Sequence, residues 1–368
     1  MKKHYFISLG GAGNSVLDKI IEQGVLVDDT KKQACYINFS SSDLEIKNKN
    51  ACIISGEGTG RSKEVGKQLI KENEQSISSF IEDFYKKGPA KETEGFNLIV
   101  IASMGGGTGS SLTPFVIDEL RRLDNKLMNV VLFAIISSPK EGVATLPNSI
   151  KTFHEIYNDY VLTDRLKSCF LFDNQKFEKE YKIGTYDFER MNEVISGTAF
   201  HILDEVKYSE SAGGHQTLDI NEFMRVLSWG KGLCDICMIN ISNKNDLDFK
   251  IKSDIFDGGY KYNTAKAVAL EFEFKNKLEA VSKEEITFAS NLIEQVKKKF
   301  SSAFFVFGFS FNNKKYGLEA AYRLKMIING ISMPKTMESN VKKATKSVQK
   351  LKTANESFNI SEDADLDF

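Results

Sequence analysis

The chain has 368 residues, of which 41% are hydrophobic, and its formal net charge is −1. A chain of this length can bury a large core and is expected to form about two domains. The nearly neutral charge argues against a protein that coats nucleic acid or a membrane surface. No apolar run approaches the ~20 residues of a membrane span. We expect a cytoplasmic protein with no membrane partner and no direct sequence-specific contact with nucleic acid.

The cysteines and histidines do not form a recognisable metal site. Five cysteines at irregular spacings fit a reducing compartment better than a disulfide framework. Cys234 and Cys237 form a CxxC pair, but they lie in an apolar run that predicts a buried strand, and no second pair completes a zinc site. The four histidines do not cluster along the sequence. The sequence therefore predicts no metal site built from protein side chains and gives no support for a histidine base.

The first half of the chain alternates between strand and helix patterns. Apolar runs predict strands at 5–9, 34–39, 51–54, 96–102, 130–136 and 169–172, and helical patterns include 14–23, 64–86 and 112–123. Such alternation indicates an α/β fold, with a largely parallel sheet covered by helices on both faces. Ligands of such sheets bind at the carboxyl ends of the strands.

The second half has a different composition. A long helix is predicted at about 186–206, followed by strands at 235–241, 265–274 and 303–311. After Pro334 the chain is rich in lysine and then acidic, which predicts a polar helix and a disordered end. We therefore expect a nucleotide-binding domain at 1–185, a central helix at 186–212, a smaller α+β domain at 213–333 and a polar tail at 334–368.

The most informative stretch is 100–111, where an apolar strand is followed by a glycine-rich turn and then a helix. Such a turn directs backbone N–H groups and a helix N-terminus at one point, which suits a phosphate. Its glycines let the backbone approach a ligand closely, and its hydroxyl residues add hydrogen-bond donors. A flexible turn with capping serines is the alternative. The residues concerned are Gly105, Gly106, Gly107, Thr108, Gly109, Ser110 and Ser111.

Two further glycine-rich segments follow predicted strands. The first comprises Gly10, Gly11, Ala12, Gly13 and Asn14. It lacks the third glycine of the dinucleotide fingerprint, because Val16 stands in that place. The second spans 56–66 and does not fit a Walker A loop, because its glycine spacing is one residue too long. Three glycine-rich segments together favour a nucleotide with a full triphosphate.

The turn at 105–111 resembles the GGGTGS signature of the tubulin/FtsZ superfamily, and the other segments follow in that family's order. The resemblance covers about residues 5–310, strongly in the first half. It implies that GTP or GDP, with Mg²⁺, is held by this turn and by the segments at 10–14 and 56–66, which match the family's first and third loops. The residue after the second strand and the loop at 138–142, which would reach the ribose, also belong to the implied site. Asn174 would read the base, and Phe188 with Asn192 would cover the base and contact its edge. The matching residues are Gly10, Gly11, Ala12, Gly13, Asn14, Asn38, Gly58, Thr59, Gly60, Gly105, Gly106, Gly107, Thr108, Gly109, Ser110, Pro139, Glu141, Asn174, Phe188 and Asn192.

Taken singly, some of these residues have simpler explanations. Phe188 alone fits a hydrophobic core, Asn174 a turn, and Glu141 a solvated loop. Phe188 and Asn192 are four residues apart, so a helix would place them on one face. The order of all the segments together is what favours the nucleotide site.

The resemblance also implies that the water-positioning acids lie outside the chain's own nucleotide pocket and enter the pocket of the next subunit. Asp219 and Glu222 occupy that segment and are proposed as the catalytic residues. Their spacing also fits a helix cap with a capping-box acid, and the two roles are compatible. The family's division protein has an arginine shortly after the ribose-contacting glutamate, where this chain has Ala144, Thr145 and Leu146. Its loss suggests slower chemistry or a substitute such as Arg61 or Lys140.

The tail separates the branches of the family. A basic stretch followed by an acidic end resembles the plasmid and phage tubulins, TubZ and PhuZ, more than a division protein. The resemblance implies a self-assembling GTPase filament that positions or segregates plasmid or phage DNA, with the tail contacting a DNA-bound adaptor, a phage cargo or the next subunit. An FtsZ-like division protein, a non-polymerising GTP-binding regulator and a dinucleotide-dependent enzyme are the alternatives.

Overall fold

A single ten-stranded sheet organises the molecule. The computed structural model describes residues 4–24, 30–41, 50–93, 96–124, 128–142, 145–184, 187–203, 218–243, 250–311, 318–334 and 337. The strands are β1 His4–Leu9, β2 Ala34–Ser40, β3 Ala51–Gly56, β4 Phe96–Ser103, β5 Met128–Ile136, β6 Ser168–Asp173, β7 Leu233–Ile241, β8 Ala267–Phe274, β9 Phe304–Ser310 and β10 Tyr322–Ile331. Their order across the sheet is β3-β2-β1-β4-β5-β6-β7-β10-β8-β9.

Helices cover this sheet. Those in the described residues are α1 Gly10–Glu22, α2 Thr30–Gln33, α3 Lys63–Lys87, α4 Gly107–Leu123, α5 Thr145–Ile156, α6 Asn174–Tyr181, α7 Phe188–Leu203, α8 Ile220–Ser228 and α9 Lys283–Lys299. A π-helical turn, Tyr157–Val161, extends α5. Every residue of β1 is buried, which requires packing on both faces of the sheet. The predicted α/β fold with a mostly parallel sheet is confirmed.

Strands β1 to β6 pair in parallel, and β7 joins them through the parallel pair Phe170 and Cys234. The sheet is therefore continuous between the two halves of the chain. The predicted domain boundaries remain predictions, and the central helix is described only as α7. The tail after Pro334 lies outside the described residues, apart from Met337.

Sequence analysis did not predict strand β10. It runs antiparallel to both β7 and β8 and so joins them. Arg323 and Lys325 interrupt its apolar pattern, yet Lys325 is 1% exposed. Its ammonium lies 2.8 Å from Glu271 and 3.5 Å from Glu273, both on β8. Buried charges of this kind require partners, and the neighbouring strand provides them.

Among the described residues, no helix combines the length and the apolar character needed to cross a membrane. The cysteines of the predicted CxxC pair, Cys234 and Cys237, are buried in β7 as expected. Burial raises the pKa of the Cys237 thiol, which disfavours the reactive thiolate. The described residues contain no group of three or more His, Cys, Asp or Glu placed to hold a metal ion.

Candidate functional site

A cavity of about 650 Å³ opens at the carboxyl ends of β1, β4, β5 and β6. This is the edge of a parallel sheet where ligands bind. Predicted site residues that line the cavity are Gly10, Gly11, Ala12, Gly58, Thr59, Gly60, Gly105, Gly106, Thr108, Gly109, Glu141, Asn174, Phe188 and Asn192. The fold thus brings together segments from the first two hundred residues.

The first turn of α1 forms one wall of the cavity. Gly10 has φ +74°, a left-handed conformation that favours glycine. A Cβ there would lie 3.1 Å from Cβ of Thr108, so two glycine-rich segments meet at this point. No side chain among the described residues caps the start of α1. Its first N–H groups can therefore bind an anion.

Two predicted residues of this segment lie behind the wall. A Cβ on Gly13 would lie 2.5 Å from the carbonyl oxygen of Ile101, so this glycine permits close packing of α1 on β4. Asn14 is buried and accepts a hydrogen bond from the Ser8 hydroxyl at 2.7 Å. Its Nδ2 has no partner among the described residues.

The start of α4 forms the adjoining wall. Gly106 is its N-cap, with φ −86° and ψ 169°, and no described side chain caps it. No described atom lies within 4 Å of a Cβ built on Gly106. Since Gly106 lines the cavity, this space is available to a ligand. Two uncapped helix N-termini, α1 and α4, therefore converge on one cavity.

Other residues of the 105–111 turn have structural roles. A Cβ on Gly107 would lie 2.7 Å from the Ser62 carbonyl, and one on Gly109 would clash with the backbone of Ser103. The Ser110 hydroxyl donates to the Gly106 carbonyl, and the Ser111 hydroxyl donates to the Gly107 carbonyl at 2.7 Å. The predicted hydroxyl donors Ser110 and Ser111 are therefore engaged within the helix, whereas Thr108 lines the cavity.

Three residues between β3 and α3 have a left-handed backbone conformation. Gly58, Gly60 and Arg61 have φ of +83°, +55° and +65°. Arg61 Nη1 donates to the Glu141 carbonyl oxygen at 3.4 Å, which joins this segment to the predicted ribose loop. Arg61 is the sole cation among the described residues that line the cavity, which also include Glu57 and Glu141. Lys140, the other suggested substitute for the missing arginine, pairs with Glu178 at 3.3 Å.

Glu141 and Asn174 meet at one end of the cavity. Glu141 Oε1 accepts from the Ser138 N–H at 2.7 Å, in a capping box of the turn Pro139–Glu141. The same oxygen accepts from Asn174 Nδ2 at 2.9 Å. Asn174 Oδ1 is buried and has no partner among the described residues. It is an acceptor available for a ligand. Pro139 does not line the cavity.

The first turn of α7 completes the cavity. Phe188 and Asn192 both line it, with Met191 between them. Phe188 is 44% exposed, which is unusual for a phenylalanine and suits a ring that stacks on a flat ligand. Asn38, in contrast, is buried at the end of β2, and its Oδ1 accepts from the Phe39 N–H at 2.8 Å. It shapes the chain behind the cavity and does not line it.

The proposed catalytic acids lie elsewhere. Asp219 is exposed and caps α8 by accepting from the N–H groups of Asn221 at 2.7 Å and Glu222 at 3.3 Å. Neither acid lines the cavity. The far end of α8 is fixed by Asn329 Nδ2, which donates to the Leu227 carbonyl at 2.8 Å, and by the hydroxyl of Ser168, the first residue of β6. Helix α8 therefore ends at the edge where the parallel strands begin, opposite the cavity.

Sequence analysis missed several residues of the wall. Ile135 and Met191 had no motif to mark them, and Thr145 was noted only for the absence of an arginine. Most of the others immediately precede or follow a glycine-rich segment or a strand end, a position that could have indicated them. These are Leu9, Ser15, Ser103 and Ser137. Two further lining residues belong to predicted segments, because Ser40 follows the second predicted strand and Glu57 lies in the segment 56–66.

The sequence of this chain is similar to those of known nucleotide-binding proteins. The sequence profile of the Tubulin/FtsZ family, GTPase domain, matches residues 3–182. The tubulin-like protein CetZ3 of Haloferax volcanii is 25% identical over 188 residues, which cover 47% of this chain and 43% of CetZ3. The tubulin-like protein TubZ of Clostridium botulinum C phage is 26% identical over 221 residues, which cover 56% of each chain.

A solved structure extends the likeness to the whole fold. The GTPγS-bound protofilament of CetZ2 from Haloferax volcanii superposes with a TM-score of 0.72 at 16% identity, covering 96% of this chain and all of that one (100%). The sequence matches, in contrast, span about half the length of the curated relatives. The fold is therefore shared over nearly the whole chain, whereas the family profile matches residues 3–182, which include most of the residues that line the cavity.

Proposed function

We propose that this chain, whose residues 3–182 match the GTPase domain of the Tubulin/FtsZ family, assembles head to tail into filaments and hydrolyses GTP where two subunits meet. The observation that carries the proposal is the separation between the cavity and helix α8. The cavity lies at the carboxyl edge of the parallel strands, whereas α8, which Asp219 caps, ends at the opposite edge. Stacking two copies in one direction brings the acids of one to the cavity of the next.

GTP fits the cavity chemically. The uncapped starts of α1 and α4 suit the phosphates, since helix N-termini bind anions. Phe188 supplies a ring face for the base, and Asn174 Oδ1 supplies an unpartnered acceptor. Guanine presents N–H donors on the edge where adenine presents an acceptor, so Asn174 favours guanine over adenine.

Positive charge is scarce around the phosphates. Arg61 is the single cation among the described lining residues, and Glu57 and Glu141 oppose it. A triphosphate in this cavity therefore calls for Mg²⁺, which would neutralise phosphate charge when bound with the nucleotide. Thr108, at the start of α4, also lines the cavity, and its hydroxyl oxygen could bind this ion. We propose that Arg61 replaces the arginine that the family's division protein has after its ribose-contacting glutamate.

Hydrolysis then depends on assembly. In the proposed reaction, the Asp219 and Glu222 carboxylates of one subunit orient a water molecule in the neighbour's cavity. The water oxygen forms a bond to the γ-phosphorus, and the bond from that phosphorus to the bridging oxygen breaks, giving GDP and phosphate. A single subunit holds the nucleotide without these acids, so its own rate is low.

We further propose that the filaments position or segregate plasmid or phage DNA through a DNA-bound adaptor or a phage cargo. The lysine-rich and then acidic composition after Pro334 motivates this role. Deletion of residues 359–368 distinguishes two uses of the tail. Weaker assembly would assign the acidic end to the contact between subunits, and unchanged assembly with lost adaptor binding would assign it to cargo.

The central test measures GTP hydrolysis against protein concentration with Mg²⁺. We expect the rate per molecule to rise sharply above a threshold at which pelletable filaments appear. A rate per molecule that is constant across the threshold range would contradict hydrolysis at a subunit junction. Binding of NAD(H) without binding of GTP would contradict the nucleotide assignment itself.

A further inference from the structure

An aromatic–arginine stack lies at the end of the molecule opposite the cavity. Trp229, directly after α8, is 48% exposed. Its ring stacks on Phe304 with centroids 4.4 Å apart and planes 8° from parallel. The Arg225 guanidinium lies 5.2 Å from the Trp229 ring centroid and 4.7 Å from that of Phe304. We call Arg225, Trp229 and Phe304 the aromatic stack.

The sheet topology fixes where this stack lies. Strand β8 is parallel to β7, because both run antiparallel to β10, and β9 is parallel to β8. Phe304 is the first residue of β9 and therefore lies at the edge where the parallel strands begin. The stack thus shares an end of the molecule with the last turn of α8, and the cavity is at the other end.

The stack also continues the surface of the proposed catalytic acids. Glu222, Arg225 and Trp229 follow one another at spacings of three and four residues, which places them along one face of α8. The helix has nine residues and is therefore about 13 Å long. A partner that contacts Glu222 is consequently within reach of Arg225 and Trp229.

We infer that the aromatic stack is a second contact of the head-to-tail junction, and that its occupant is the cavity end of another copy of this chain. This inference rests on the proposed function. Large exposed aromatic residues and arginine are the side chains that dominate protein interfaces. The stack shares helix α8 with Glu222 and lies at the end of the subunit opposite the cavity, and the proposed filament joins that end to a neighbour's cavity.

The cavity end offers a matching surface. Glu64 and Val65 lie in the first turn of α3, next to the cavity-lining segment at 57–61, and Val65 is 46% exposed. An acid and an apolar side chain in succession complement an arginine and an apolar ring. The stack and this turn thus combine charge and apolar complementarity across one junction.

The chain contains one tryptophan, so its fluorescence reports directly on Trp229. We would measure acrylamide quenching of the full chain below and above the assembly threshold, with GTPγS and Mg²⁺. Quenching should fall on assembly. Arg225→Ala and Trp229→Ala should raise the threshold about tenfold or more, as loss of an interface hot spot does. GTP binding to the dispersed subunits should not change.

Three controls keep the test decisive. Trp229→Phe retains an apolar ring on Phe304 and should raise the threshold less than Trp229→Ala. Tyr181→Ala removes a ring that is also 48% exposed, but on α6, and should leave the threshold unchanged. Thermal unfolding of each variant establishes that it is folded.

The outcomes separate the two proposals. Absence of filaments from the wild-type chain at any concentration would overturn the proposed function. Filaments in which Trp229 stays fully quenchable, with unchanged thresholds for Arg225→Ala and Trp229→Ala, would overturn only the role of the stack. Protection of Trp229 in dispersed subunits would also overturn it, because the chain itself would then cover this surface.

Discussion

The Asn174 amide donates to Glu141 Oε1 at 2.9 Å, and its own Oδ1 is left buried without a partner among the described residues. Glu141 is in turn held by the Ser138 N–H. The carboxylate thus fixes which way the amide faces, so that the acceptor is presented to the ligand. The residue that the resemblance assigned to the ribose therefore also orients Asn174.

Asn174→Ala should reduce the preference for GTP over ATP, because the guanine donors lose their acceptor. An unmade buried hydrogen bond costs about 1–3 kcal/mol, which corresponds to roughly 5- to 150-fold in relative affinity. Competition between the two nucleotides measures this preference. Glu141→Gln provides the control, since its amide oxygen can still accept both hydrogen bonds. Equal loss of preference in Glu141→Gln would show that Glu141 contacts the ligand through its charge.

Gly106→Ala should block nucleotide binding without unfolding the protein. Its φ and ψ are allowed for alanine, and no described atom lies within 4 Å of the new Cβ, which would occupy ligand space. Nucleotide titration should show a fall of at least about tenfold in affinity, which is roughly 1.4 kcal/mol. Gly197→Ala is the matched control, because it also adds a Cβ in open space but lies in the interior of α7. It should leave binding intact and stabilise the helix by up to about 1 kcal/mol.

Asp219→Asn should separate capping from catalysis. Asparagine caps a helix about as well as aspartate, so the stability of α8 is retained while the charge is lost. GTP binding should persist and the hydrolysis rate of filaments should fall at least about a hundredfold. Asp219→Ala should show the same kinetic loss and an additional loss of about 1 kcal/mol in stability. If filaments of Asp219→Asn hydrolysed GTP at the wild-type rate, Asp219 would be only a helix cap.

Asp235 should make the protein less stable as pH rises. It is buried, and burial raises its pKa to about 7, although Ser253 and Tyr262 donate to it at 2.6 and 2.7 Å. A carboxyl whose pKa is raised on folding contributes stability below its unfolded pKa near 4 and loses it as pH approaches 7. The loss from this group amounts to as much as about 4 kcal/mol.

Urea unfolding between pH 4 and 8 would measure this loss. The Asp235→Asn variant should show a flatter dependence of the free energy of unfolding on pH. The stability of this variant relative to the wild type should therefore improve with pH up to about 7. Nearby Asp254, whose pKa burial raises to about 6, titrates in the same direction and leaves a residual slope. Asp83→Asn, at an exposed ion pair with Lys87, should leave the profile as it is. If the free energy of unfolding of Asp235→Asn fell with pH in parallel with that of the wild type, Asp235 would not be the cause of the loss.

The sequence predicted most of the sheet because strands buried on both faces leave continuous apolar runs. It missed β10, where Lys325 breaks such a run. The glutamates that make this lysine tolerable come from β8, about fifty residues earlier, and only strand pairing brings them together. Likewise, the glycine-rich segments predicted the position of the cavity, but not which glycines face it. Gly106 is open towards the ligand, whereas Gly13 and Gly109 allow backbone to pack on backbone.

By itself, the sequence determined the class of fold, the order of the glycine-rich segments and the kind of ligand they suit, because these depend on local patterns of apolar residues and glycine. Only the tertiary structure decided that Asn174 is oriented by Glu141. It also showed that Asp219, at the N-cap of α8, does not line the cavity. These relationships depend on distances between segments remote in the chain, which packing of helices on the sheet establishes.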